Sequence, residues 1–162
     1  GRVKWAFEPT GAITMVDTQN AYKTATLCTL LLVLKTIYSN LALGAGKLKA
    51  GARAKEDNYQ NQGPASSESL ERLDRLQRCV NNDLENIPYG LVAIWVCYLG
   101  LGSANEADVQ SHIALTILFT MARYLHTIFY ECKASYLRTV AYLLGLIGIL
   151  GLSILSVALA WA

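Results

Sequence analysis

Seven charged side chains fall between Glu71 and Glu85, in the stretch ERLDRLQRCVNNDLE, directly ahead of an uncharged apolar segment, Ile87 to Ala104. At about 100° per residue, Glu71, Asp74, Arg75, Arg78, Asn82 and Glu85 share one helical face about 100° wide. A second polar face follows in RYLHTIFY, where Arg123, His126, Thr127 and Tyr130 again fall within an arc of about 100°. An unpaired ion near the centre of a bilayer costs about 2.5–3.5 kcal/mol on insertion scales, so both faces must turn toward protein, water or a ligand. Two arrangements meet that demand. In one, Arg123 pairs with Glu85 or Asp83, and His126 and Tyr130 are ordinary satisfied buried groups. In the other, the two faces join Lys47 and Arg138 at the same membrane face and present more cation than anion to a shared cleft. An anionic ligand would then balance them.

The elements that must carry these residues are long apolar helices. The chain is 53% hydrophobic, and its apolar residues are gathered into runs rather than spread through the sequence. Val140 to Ala162 has no charged residue and as a helix would be about 35 Å long, against a hydrocarbon core of about 30 Å. Similar runs cover Thr24 to Leu43 around a single Lys35, Ile87 to Ala104, and Val109 to Tyr130. The expected fold is all-α, an integral membrane four-helix bundle forming one domain over residues 1–162. Its spans are expected at about 15–45, 70–102, 109–131 and 136–161, with a cytoplasmic loop at about 46–68. A soluble chain of this length could not surround four such helices with a polar shell.

Lys47, Lys49, Arg53 and Lys55 crowd the first connection and Lys133 and Arg138 the third, whereas the second, LGSANEAD, has no basic residue. The first and third connections are therefore expected on the cytoplasmic side, against a weak pull from Arg2, Lys4 and Lys23. The N-terminal GRVKWAFEPTGAITM lacks the apolar core and small-residue site of a cleavable signal, so the first helix is expected to act as the insertion signal. A formal charge of +2 gives no reason to invoke nucleic acid. Cys28, Cys79, Cys97 and Cys132 show no CxxC or zinc-type spacing and read as free thiols, with no metal site implied. ARAKEDNYQNQGPASS, Ala52 to Ser67, reads as an exposed loop. Ser67 is then the expected cap of the second helix, with Glu68 in the first turn and no full capping box, since Leu70 occupies the third position. Gly145, Gly148 and Gly151 place a small-residue face on the fourth helix, open to contact within the bundle or between subunits.

Asp74 to Asn86, DRLQRCVNNDLEN, resembles the E-R-x-x-R-x-x-x-N-D-x-E-N signature of the membrane-associated proteins in eicosanoid and glutathione metabolism. Arg123 to Tyr130 resembles the same family's R-x-x-H-T-x-x-Y third helix. With Lys35 to Tyr38 and the AKED segment at Ala54 to Asp57, the resemblance extends over most of the chain. It is closest to the branch holding microsomal glutathione transferase and microsomal prostaglandin E synthase. The resemblance implies a homotrimer of four-helix subunits in the endoplasmic reticulum, with glutathione held between neighbouring subunits. Carried over by position, Lys47, Arg78, Asn81, Asn82, Glu85, His126, Tyr130, Arg138 and Tyr142 form the glutathione cradle, and Arg138 and Thr139 act on the thiol. Lys47 stands where the family usually has Arg, and Asn81 where relatives often have a basic residue. Arg75 and Arg123 are implied as structural partners deeper in the bundle, and Asp57 as a loop carboxylate near the thiol.

Glutathione carries two carboxylates, an ammonium and a thiol, so its site needs several cations, a carboxylate such as Glu85 for the amine, and amide or hydroxyl groups for the peptide. A free thiol titrates near 8.5, and a neighbouring guanidinium favours the attacking thiolate. Arg138 suits that task, with Thr139 as hydrogen-bond donor. The membrane would deliver a lipophilic electrophile from the side. The expected activity is therefore a membrane-bound glutathione transferase, with peroxidase activity possible on the same chemistry. The alternatives are a glutathione-dependent prostaglandin endoperoxide isomerase and a non-catalytic lipid-binding scaffold.

Overall fold

The structure, a computed structural model, describes residues 15–52 and 66–161. The expected uncleaved N-terminal segment with Arg2 and Lys4, and Arg53, Lys55 and Asp57 of the first connection, lie outside the described residues. Four helices make up the fold: α1 Met15–Lys49, α2 Ser67–Gly100, α3 Glu106–Glu131 and α4 Ser135–Ala160, with a 3₁₀ turn at Leu101–Ser103 linking α2 to α3. No strand occurs among the described residues.

Thr18–Lys49, Glu106–Glu131 and Ser135–Ala160 are each long and apolar enough to cross a bilayer. α2 matches them in length and falls short in apolarity, unlike the fourth span expected from sequence. Its first half carries the charged stretch, and Asp83 and Glu85 lie directly against the apolar half. The helix start also differs from expectation. Ser66, rather than Ser67, is the N-cap, and its hydroxyl accepts from Ser69 N at 3.2 Å. Ser66 holds extended backbone angles, which lets its oxygen fold back over the first turn, where Glu68 faces the positive end of the dipole. α3 begins on a full capping box. Asn105 accepts from Asp108 N at 3.0 Å, and Asp108 accepts from Asn105 N at 3.1 Å.

Sequential helices are antiparallel, with connections of five residues between α2 and α3 and three between α3 and α4. Trp95 Nε1 on α2 donates to Thr29 Oγ1 on α1 at 3.1 Å, while Leu43 packs with Leu76 and Val80 nearer the α1–α2 connection. α1 and α3 run parallel, tied by Tyr124 OH donating to Leu31 O at 2.8 Å. At the end where α1 begins, the core is apolar: Ala21, Ala25, Leu32, Ile94, Cys97, Leu101, Val109 and Leu159 are buried together. Tyr22, Trp95 and Tyr98 stack beside them with ring centroids 5.7–6.1 Å apart.

The small residues of α4 face α3 of the same chain, the first of the two uses open to them. A Cβ at Gly145 would meet Arg123, one at Gly148 would meet Phe119, and one at Gly151 would meet Leu115. Phe119 is gripped from two sides, since a Cβ at Gly90 of α2 would lie 2.1 Å from its ring and one at Gly148 2.9 Å from its own Cβ. In lipid such close approach supplies the dispersion contact that water exclusion cannot. Cys28, Cys79 and Cys97 are buried, Cys132 is exposed, and all four are free thiols.

Candidate functional site

The antiparallel course brings the first half of α2, the end of α3 and the beginning of α4 to one end of the bundle. Asn82, His126, Tyr130, Arg138, Thr139 and Tyr142 line a cleft of about 250 Å³ there. All six were candidate residues. The turn from α3 to α4 sets their register. Cys132 closes α3, and Lys133 takes a left-handed conformation at φ 57°. Lys133 N donates to Tyr130 O at 3.3 Å and Ala134 N to Phe129 O at 2.9 Å, the two bonds of a Schellman motif. α4 therefore starts at once beside the end of α3, and the Arg138 guanidinium lies 4.4 Å from the centre of the Tyr130 ring. His126 stands edge-on to Tyr130 at 5.2 Å and tilted against Tyr142 at 6.5 Å. Thr139 Oγ1 donates back to Ser135 O at 3.2 Å, which leaves its oxygen able to accept.

Behind the cleft lies a buried polar network. Lys35 of α1 pairs with Asp83 of α2, both within 3% of complete burial, and Ser39 Oγ adds a 3.3 Å bond to the same carboxylate oxygen. Arg123 is fully buried, and its Nη1 donates to Asn82 Oδ1 at 2.8 Å. The sequence-based pairing of Arg123 with Glu85 or Asp83 is thus corrected: Asp83 turns to Lys35, Glu85 is exposed, and Arg123 takes the neutral amide between them. Cys79 Sγ donates to Thr127 Oγ1 at 3.5 Å on the same level. Lys35 and Ser39 had no assigned role, and Asp83 only that of a partner for Arg123. The sequence does hold the signal, since a lone lysine in one apolar span demands a buried carboxylate from another.

The remaining candidates do not line this cleft in the single chain. Arg78 is exposed and bonded to Asp74 through Nε at 2.9 Å, and Arg75 reaches Glu71 at 3.7 Å along the same helix. Asn81 is exposed and accepts from Gln77 Nε2 at 2.9 Å. Glu85 faces outward. Lys47, half-buried near the end of α1, lies twelve residues beyond Lys35, or about 18 Å along the helix axis. α1 and α2 extend past the level of the cleft, and Lys47 belongs to that extension.

The lining of the cleft carries one cation, Arg138, and no anion, while Arg123, behind Asn82, meets only a neutral partner among the described residues. Hydroxyls of Tyr130, Thr139 and Tyr142 and the amide of Asn82 supply the uncharged donors and acceptors that peptide groups require. His/Cys/Asp/Glu clusters able to hold a metal are absent among the described residues. Comparison with curated proteins finds no match. A family model described as the MAPEG family matches residues 25–158, which takes in the body of all four helices and every residue lining the cleft. The chain is an integral membrane protein and belongs to the MAPEG family, which includes glutathione transferases and prostaglandin E synthases.

Proposed function

We propose that this protein is a membrane-bound glutathione transferase that raises the thiolate fraction of glutathione and directs it at lipophilic electrophiles, with peroxidase activity on the same thiolate. The observation that carries this reading is a cleft with one guanidinium, three hydroxyl side chains, one amide and no carboxylate, set at the end of an apolar bundle. Arg138 stabilises the thiolate by charge and by N–H donation, and its planar group is held by stacking on Tyr130. Thr139 gives a further hydrogen bond to sulfur by turning its hydroxyl proton away from Ser135 O, and His126, Tyr130, Tyr142 and Asn82 orient the peptide. The thiolate then attacks the electrophilic carbon, a C–S bond forms, and the leaving group departs with its electron pair.

Lys47, Arg78, Asn81 and Glu85 do not line the cleft of one chain. In this reading they approach glutathione from a neighbouring subunit, Glu85 taking the ammonium and Lys47 and Arg78 the carboxylates, within a homotrimer of the endoplasmic reticulum. The test is turnover of purified protein with glutathione and either a chloronitrobenzene or a prostaglandin endoperoxide. Turnover of the chloronitrobenzene supports the transferase, turnover of the endoperoxide alone replaces it with the isomerase, and absence of glutathione binding leaves the scaffold. Arg138→Ala is expected to lower conjugation about tenfold or more, with a smaller loss of glutathione affinity. An unchanged thiolate absorbance in that variant would remove Arg138 from its role.

A further inference from the structure

Asn82 is where the buried network meets the cleft, and its carboxamide has two unlike ends: the oxygen accepts and the NH2 group donates. Arg123 Nη1 donates to Asn82 Oδ1 at 2.8 Å. A guanidinium has donors and no acceptor, so the opposite orientation of the amide would set donor against donor. Arg123 cannot turn away to relieve that clash. It is fully buried, and α4 closes over it at Gly145, where a Cβ would stand 3.2 Å from Nη2 and 3.3 Å from Nε. The backbone of Asn82 is tied as well, its carbonyl accepting from Asn86 Nδ2 at 2.8 Å. Asn82 Nδ2 is left without a hydrogen-bond partner among the described residues, on a side chain that lines the cleft.

We propose that Arg123 is a positioning residue that fixes the Asn82 carboxamide with its oxygen inward and its NH2 group toward the cleft. Position 82 then selects for an acceptor on the ligand, a carboxylate or peptide carbonyl oxygen, and against a donor. The inference rests on the glutathione reading and deepens it, naming the atom that Asn82 offers and the residue that makes it do so. The order of the elements follows from this role. Gly145 on α4 makes room for Arg123 on α3, and Arg123 sets the amide on α2, so three helices fix one donor.

Asn82→Asp separates this role from a structural one. The new carboxylate still accepts from Arg123, through a stronger charge-assisted bond, but turns an acceptor and a negative charge to the cleft. With the full-length protein in detergent and glutathione as the probe, the variant is expected to unfold at or above the wild-type temperature while binding about tenfold or more weakly. Arg123→Met removes the donors at similar volume and is expected to weaken binding, whereas Arg123→Lys, still a donor only, restores most of the loss. Should Arg123→Met fail to fold, Asn82→Asp alone decides. Glutathione binding by Asn82→Asp as tight as wild type overturns the inference and leaves the transferase reading standing. Wild-type protein that binds no glutathione overturns both.

Discussion

The two ends of the bundle are built on different physical terms. Where α1 begins, apolar packing dominates and the bonds between helices are to neutral groups, Trp95 with Thr29 and His112 with Ile94 O: Leu32, Ile94, Cys97, Leu101 and Leu159 fill the interior, and Tyr22, Trp95 and Tyr98 pack edge to face. At the other end, the interior is occupied by Lys35, Ser39, Asp83, Asn82, Arg123 and His126, all but Asn82 buried. Apolar packing is insensitive to direction and tolerates substitutions of similar volume. A buried ion pair or amide bond tolerates almost none, because each partner stays buried when the other is removed. The polar end thus gives up adaptability and gains fixed orientation. A site that must present a particular atom at a particular angle belongs there.

The sharpest way to break this contrast is to remove one partner of the Lys35–Asp83 pair. Lys35→Met is expected to destabilise the protein by about 3–5 kcal/mol, because Asp83 is left charged and buried with Ser39 as its remaining hydrogen-bond partner among the described residues. Replacing both, as Lys35→Met with Asp83→Leu, should recover most of that loss, since a packed apolar pair avoids the desolvation altogether. Denaturant unfolding in detergent checks both. A single variant as stable as the wild type would mean that the polar end is held by packing after all.

Gly90→Ala tests the midplane between the two regions and should cost less, about 1–3 kcal/mol, the range for overpacking a filled interior. The added methyl would fall 2.1 Å from the Phe119 ring, and Gly148 blocks retreat on the far side. Phe119→Leu in the same chain should relieve the clash. Thermal unfolding of the single and double variants decides this, and a Gly90→Ala protein with unchanged stability would show the grip on Phe119 to be loose.

How much of this was legible in advance differs between the two regions in the same way. The apolar end follows from hydropathy, because a charge-free stretch such as Val140 to Ala162 has one solution in a bilayer. The polar faces on α2 and α3 were legible too, as arcs of about 100°, though only the α3 arc turns inward in the single chain, Glu71, Asp74, Arg78 and Glu85 of the α2 arc being exposed. Their partners were not. Asp83 lies one residue from Asn82, about 100° around the helix, so whether Arg123 met the acid or the amide depended on the rotation of α2 against α3. That rotation is set by contacts such as Gly90 with Phe119, which no local pattern encodes. Lys35 was visible as a lone cation, but its mate could be named only once α1 and α2 were known to be antiparallel. The Ser66 cap was missed by one residue because two serines in succession offer the same chemistry, and backbone angles decide between them.

The helix starts at the two ends allow a smaller comparison. Asn105→Ala removes the side-chain half of a reciprocal capping box and should cost about 1 kcal/mol, whereas Ser66→Ala removes a single 3.2 Å bond on an exposed turn and should lie near the lower limit of about 0.5 kcal/mol. Unfolding midpoints rank the two. An equal or reversed order would mean that Asp108 holds the Asn105 backbone N–H well enough by itself to keep α3 capped.

The smallest effect is expected with the opposite sign, at Lys133. A non-glycine residue in the left-handed region is strained by about 1–2 kcal/mol from contact of its Cβ with the backbone, and Lys133 stands there at φ 57°. Lys133→Gly removes that strain but gives the unfolded chain more freedom, a counter-term of about 0.5–1 kcal/mol, so the net gain should be less than about 1 kcal/mol. Because glycine adopts the same angles, the two bonds of the turn persist, and Arg138 keeps its place over the Tyr130 ring. Stability should therefore rise slightly while conjugation of a chloronitrobenzene stays within about twofold of wild type. A clear fall in conjugation with stability unchanged would assign the Lys133 charge itself to the polar end, as a second cation serving the cleft from the turn that builds it.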